Sequence, residues 1–129
     1  MVLFTVRYNY VISLVVFLDY YNIEGSTWDL ANSFCNSQNQ KLLELRTQEA
    51  FQMAKKVRSE IRSFFVGGTD RNSEGVWKWE SDGNGDIPNE FWQDGQVRAT
   101  EDKDCMVFAR RGLIDYSCTK VETFACEDP

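Results

Sequence analysis

The chain of 129 residues contains no histidine. That removes the one side chain whose ordinary pKa serves proton transfer near neutral pH, and with it the imidazole half of a mixed zinc site. Cysteine is scarce too: Cys35, Cys105, Cys118 and Cys126 are the four present, and no two of them form the close C-x-x-C pair that zinc ligands usually make. An even number at such wide spacings reads as two disulfides formed in an oxidising compartment, secreted or extracellular. Four cysteines allow three pairings, and spacing alone does not choose between them. With the thiols committed, no imidazole and no Gly-rich phosphate loop, the inventory does not support catalysis. The adjacent acids Glu101 and Asp102 could in principle serve hydrolysis, but such surface pairs are common, and no enzyme is expected.

Basic charge is in deficit. Lys and Arg number 14 against 20 Asp and Glu, a formal net charge of −6, the wrong balance for displacing counterions from a phosphate backbone. Nucleic acid is therefore not an expected partner. Long apolar runs are missing as well. Val11 to Leu18, which follows Arg7, resembles the middle of a secretory signal but is too short to span a bilayer, and no small-residue cleavage site follows it. It reads better as a buried strand, and the expectation is no membrane insertion. Entry to the secretory route would then rest on a leader outside this sequence, or on none. The length and the absence of repeats suit one domain, residues 1–129, with one core.

What is present has a clear order. Val11 to Tyr21 is β-branched and aromatic, as one or two strands would be. Ser26 or Thr27 can cap a helix running to about Ser37, with Asp29 in its first turn and Trp28, Ala31 and Cys35 at helical spacing. Leu42, Leu43 and Leu45 make a short strand or bend. Thr47 then caps a second helix in which Ala50, Ala54, Val57 and Ile61 form one stripe. From Phe64 onward short two-residue periods are broken by Gly, Asp and Asn, as strands and loops require. Cys105 to Arg110 and Thr119 to Cys126 read as two further strands joined through a turn at Arg110-Arg111-Gly112. Helices first and strands later give an α+β class. Between Glu80 and Asp104 lies a polar stretch too long for a compact domain unless it has a task, so function is expected there.

Taken together, these motifs resemble the C-type lectin-like domain family from Trp28 to Glu127. Trp28, Ala31 and Cys35 look like its first-helix pattern, and Phe65-Val66-Gly67-Gly68 like its core strand. Asp70 with Glu74-Gly75-Val76-Trp77-Lys78-Trp79 repeats the D-x-x-x-E-G-x-W-x-W signature, while Asp104-Cys105 and Phe124-Ala125-Cys126-Glu127 match the closing pieces. The resemblance implies two helices with two small antiparallel sheets and a long loop region. It also implies the bridges Cys35–Cys126 and Cys105–Cys118 of the short, two-disulfide form.

Sugar-binding members hold a Ca²⁺ in the long loop through one triplet after W-x-x-G and another before the penultimate cysteine. Here Trp92-Gln93-Asp94-Gly95 is followed by Gln96-Val97-Arg98. Ile87-Pro88-Asn89 precedes the tryptophan and so is not that triplet. Gln96 is kept, Val97 removes the proline, and Arg98 sets a fixed positive charge where an oxygen should face the ion. The second triplet reads Leu113-Ile114-Asp115, in which only Asp115 survives. A cation that needs roughly six to eight oxygens does not tolerate such losses, so the bridging calcium is expected to be absent and no cofactor is required. A second family position uses acids matching Asp70, Glu74 and Asp104. These suit a structural Ca²⁺ that orders the loop, and equally an acidic turn on an acidic protein.

The leading expectation is a module that binds glycans directly, through Gln96, Arg98, Glu101, Arg110, Arg111, Asp115 and Tyr116. Arginine forks in this group, with Lys103 beside them, suit an acidic or sulfated sugar; the alternative is a solvated set paired with Glu101, Asp102, Asp104 and Asp115. Tyr116 could stack on a sugar ring or pack within a strand, and Trp77 and Trp79 read as core. The rival function is calcium-independent recognition of a cell-surface or extracellular protein. Pairing of a second copy along Val11 to Phe17 would give a homodimer with raised avidity.

Overall fold

The computed structural model describes residues 3–11, 15–85, 87–95 and 98–129. Within the apolar run, Ile12, Ser13 and Leu14 lie outside the described residues. On either side of them, β1 (Leu3–Val11) pairs antiparallel with β2 (Val15–Ile23) as the N-terminal hairpin, Leu3 opposite Ile23 and Val11 opposite Val15. Helix α1 (Trp28–Ser37) follows, capped by Thr27, whose side chain accepts from the Leu30 N–H. After the short β3 (Lys41–Leu42), helix α2 (Gln48–Glu60) is capped by Thr47, which accepts from Ala50 N at 3.1 Å. Both caps satisfy an N–H that a first turn leaves without a partner. The remaining strands are β4 (Phe64–Thr69), β5 (Lys78–Trp79), β6 (Cys105–Ala109), β7 (Gly112–Tyr116) and β8 (Thr123–Glu127).

The strands run β1-β2-β8-β4-β6-β7, with β3 on β8 and β5 on β4. Instead of two separate antiparallel sheets, a short parallel pairing of β4 with β8, Phe64 opposite Thr123 and Phe65 opposite Phe124, joins the two groups into one mixed sheet. A second difference concerns β7. The Arg110-Arg111 turn leads into Gly112–Tyr116, and Thr119 to Val121 are exposed linker before β8. The reason is the Cys105–Cys118 bridge, which brings the chain back to the start of β6 after a separation of 13 residues. An antiparallel hairpin makes that return directly.

The central strands are buried on both faces, so alternate residues enter different clusters. Phe64, Val66, Met106 and Phe108 join Ala50, Phe51, Ala54 and Val57 of α2, with Ile61 packed at the edge. Phe65, Val107, Phe124 and Cys126 join Trp28, Ala31 and Cys35 of α1. Phe51 stacks on Phe91 at 4.3 Å, and Tyr21 on Phe124 at 5.4 Å. The Cys35–Cys126 bridge fastens α1 to β8 across a separation of 91 residues. No helix among the described residues is long and apolar enough to cross a membrane.

Polar groups tie the N-terminal hairpin down. Arg7 donates twice to Asp19, at 2.7 and 2.8 Å, and Gln40 Nε2 adds a bond at 3.0 Å. Burial of Asp19 works to raise its carboxyl pKa, but the hydrogen bonds from Arg7 and Gln40 together hold it below the ordinary value. A depressed carboxyl stabilises above its unfolded pKa, about 3.9, and that contribution fades as pH falls through the folded value. The stability gap between the parent and Asp19→Asn is therefore expected to be full at neutral pH and to close in acid. Urea titrations across pH 2–6 would show it, and a gap independent of pH would mean that the ion pair does not hold the hairpin.

Candidate functional site

Three anchors fix the polar stretch from Glu80 to Asp104 onto the sheet. At its start Glu44, 3% exposed, accepts from Ser81 N at 3.0 Å, Ser81 Oγ at 2.8 Å and Arg46 Nε at 2.9 Å, while Arg46 reaches Asp82 at 2.7 Å. In its middle a 3₁₀ turn, Asn89–Phe91, sets Phe91 and Trp92 into the core. Trp92 bridges to Leu113, and Gln93 N donates to the Leu113 carbonyl at 2.9 Å. At its end Asp70 N donates to the Asp104 carbonyl at 3.1 Å.

Trp77 and Trp92 meet edge to face at 5.2 Å, both buried, and Trp77 Nε1 donates to the Arg98 carbonyl at 2.7 Å. The Arg98 guanidinium lies over the Trp92 ring, 4.9 Å from its centroid, and Nη1 donates to Asn89 Oδ1 at 2.8 Å. Gly112 lets the neighbouring hairpin turn approach this segment. Its φ is +145°, and a Cβ there would stand 2.6 Å from the Phe91 carbonyl oxygen, so only glycine fits.

The other residues singled out by sequence fall into two groups. Glu101, Lys103, Arg110 and Arg111 are exposed at turns, and Arg98 is half-buried. No ion pair joins any of these residues to another described residue, whereas Arg7, Arg46, Arg62 and Arg71 each have a carboxylate partner. Asp115 is instead buried on β7 opposite Met106, and the Tyr116 ring packs edge-on to Phe65 at 5.9 Å. Gln96 and Val97 lie outside the described residues. Asn89, which holds Arg98, and Glu44, which holds the loop's start, were not legible as functional. Nothing in the sequence pairs Asn89 with Arg98, and Glu44 reads as a polar tooth between Leu43 and Leu45.

Asp70, Glu74 and Asp104 come together, with one carboxylate oxygen from each within 4.8 Å of the others. Asp70 is 2% exposed; its Oδ2 accepts from Gly75 N at 2.8 Å. Oδ1 of Asp70 and Oδ1 of Asp104 are buried with no hydrogen-bond donor among the described residues. Burial, and after it contact with Glu74, raises the Asp70 carboxyl pKa; burial and the proximity of Asp70 raise that of Asp104. Carboxylates crowded with their lone pairs unmet are what a hard cation satisfies, so these residues fit Ca²⁺ as part of its oxygen shell. Two clefts lie elsewhere: one of about 190 Å³ beside Glu24, Arg62 and Glu122, and one of about 270 Å³ beside Thr69, Asn72, Lys78 and Glu80.

Two helices on a mixed sheet, bridges at these positions and a long loop anchored by buried tryptophans define a C-type lectin-like fold. The model of the Lectin C-type domain matches residues 24–128, and the chain belongs to that family. It is 28% identical over 109 residues to human C-type lectin domain family 17, member A, covering 84% of this chain and 28% of that protein. To the hepatic lectin of Gallus gallus it is 26% identical over 112 residues, covering 85% and 54%. The chain thus spans about half or less of the length of these curated relatives. Among solved structures, the carbohydrate-recognition domain of the mouse scavenger receptor C-type lectin superposes with a TM-score of 0.72 at 27% identity, covering 85% of this chain and 87% of that one.

Proposed function

We propose that this domain recognises glycans in an extracellular setting, by direct hydrogen bonds from the long-loop face and without a bridging calcium ion. The observation that carries this reading is Arg98. Where the family pattern calls for an oxygen ligand after W-x-x-G, the chain sets a guanidinium held on Trp92 and Asn89, and a cation does not coordinate a cation. Exposed Glu101, in the same loop, and Arg110 and Arg111, on the β6–β7 turn, would supply further donors and acceptors, and the relatives include a carbohydrate-recognition domain. Asp70, Glu74 and Asp104 would hold a structural Ca²⁺ that neutralises their crowded charge and pins Asp104, at the loop's end, to Asp70.

A glycan array probed with the tagged domain, once in millimolar Ca²⁺ and once in EDTA, tests this. Sugar binding that survives EDTA is the expected result. Binding abolished by EDTA would restore the bridging ion and overturn the direct mode. Silence in both conditions, with capture by a cell-surface protein that free sugars do not compete, would move the function to protein recognition.

A further inference from the structure

We infer that Arg98 is an anion clamp, and that the ligand group it takes is a sulfate ester or a carboxylate on the saccharide. This deepens the glycan reading above and rests on it. Arg98 is tied at both ends: Trp77 holds its carbonyl at 2.7 Å, while Asn89 and the Trp92 face hold its guanidinium. A guanidinium has five N–H donors in a rigid plane, and only one bond, to Asn89, is made with a described residue. The acids nearest in sequence, Asp94, Glu101 and Asp102, are exposed, and among the described residues none forms an ion pair with it.

A fixed, half-exposed arginine fork with no carboxylate partner among the described residues is organised for a ligand with two acceptor oxygens on one centre. The entropy of ordering the side chain has been met within the fold, leaving less to lose on binding. The topology adds charge of the same sign nearby. Gly112 packs against the carbonyl of Phe91, next to Trp92, so the turn carrying Arg110 and Arg111 rides on the segment that supports Arg98. In a chain of net charge −6 the surface as a whole repels an anion, so an anionic sugar would be drawn to these arginines and not elsewhere.

The test is titration calorimetry in EDTA with three oligosaccharides of equal length: one sulfated, one bearing uronic carboxylates only, and one neutral. Binding of either anionic sugar, with a loss of about tenfold in Arg98→Lys, is expected, since lysine keeps the charge and loses the fork. The two anionic arms decide between sulfate and carboxylate. Asn89→Ala, which only frees the guanidinium, should weaken binding by a smaller factor, and Lys55→Ala on α2 should leave it unchanged. Near-UV circular dichroism of Arg98→Lys checks that the loop is intact. Equal affinity for the neutral sugar, or equal losses in Arg98→Lys and Lys55→Ala, would overturn the clamp while leaving glycan binding standing. No binding of any of the three sugars, together with a silent array, would overturn the glycan reading itself.

Discussion

Replacing Cys35 and Cys126 together by alanine is expected to remove roughly 4 to 5 kcal/mol of stability and to lower Tm by roughly 15 to 20 °C. The magnitude follows from the bridge's span, a separation of 91 residues. On chain-entropy grounds a long closed loop restricts the unfolded chain more than a short one. It also joins α1 to β8 where both sulfurs are fully buried, so the substitutions leave a void in the cluster around Trp28 and Phe124. The loss compares with the whole stability of an ordinary domain, about 5 to 15 kcal/mol. Replacing Cys105 and Cys118 should cost less, about 3 kcal/mol, because that bridge closes only the β6–β7 hairpin. Denaturant unfolding of both double variants under non-reducing conditions would measure the order. A shorter-loop variant that loses as much as the longer one would contradict the entropic account.

Asp70→Asn is expected to act in opposite directions with and without calcium. In EDTA the parent carries Asp70 and Asp104 with raised carboxyl pKa values, from burial first and then from their acidic neighbours. A raised carboxyl gives stability that is full below its unfolded pKa of about 3.9 and is lost as pH climbs through the folded value. The metal-free parent should therefore gain stability on acidification toward that range as far as these two groups decide it. Asn at position 70 removes one charge and keeps an oxygen for the Gly75 N–H, so the variant should show a weaker acid gain and be at least as stable at neutral pH. With Ca²⁺ at a hundredfold excess over its Kd, the parent should gain about 2.7 kcal/mol, and most of that gain should vanish in the variant. Paired melts in Ca²⁺ and EDTA for both proteins would decide it. No calcium-dependent shift in the parent would leave the cluster as an acidic turn.

Local features of the fold were legible because local physics sets them. Thr27 and Thr47 cap the helices where an acceptor precedes an apolar stripe, and Ala50, Ala54 and Val57 lie buried as their spacing requires. Trp77 and Trp79, two apart on a short stretch, are both core. The hairpin β7 was not legible, since Leu113 and Ile114 carry no alternation of their own and the strand exists because a disulfide and β6 demand a return. The site divides along the same line. Asp70, Glu74 and Asp104 lie together, whereas Asp115 is buried and Tyr116 partly buried in the hairpin, and Arg98 lies on Trp92.

The sequence by itself determined the class of fold, the two-disulfide frame implied by its motifs, and the departure of Gln96-Val97-Arg98 and Leu113-Ile114-Asp115 from the calcium triplets. These depend on residue identity and short-range order. Only the tertiary structure decided which charges are spent and which are free among the described residues. Glu44 and Asp19 are consumed by partners from other segments, and the Arg98 fork is held on Trp92 and Asn89 with no described acid paired to it. Pairing such as Ser81 with Glu44 and Gln40 with Asp19 depends on distances between groups far apart in the chain, which exist only once the sheet and its bridges have closed.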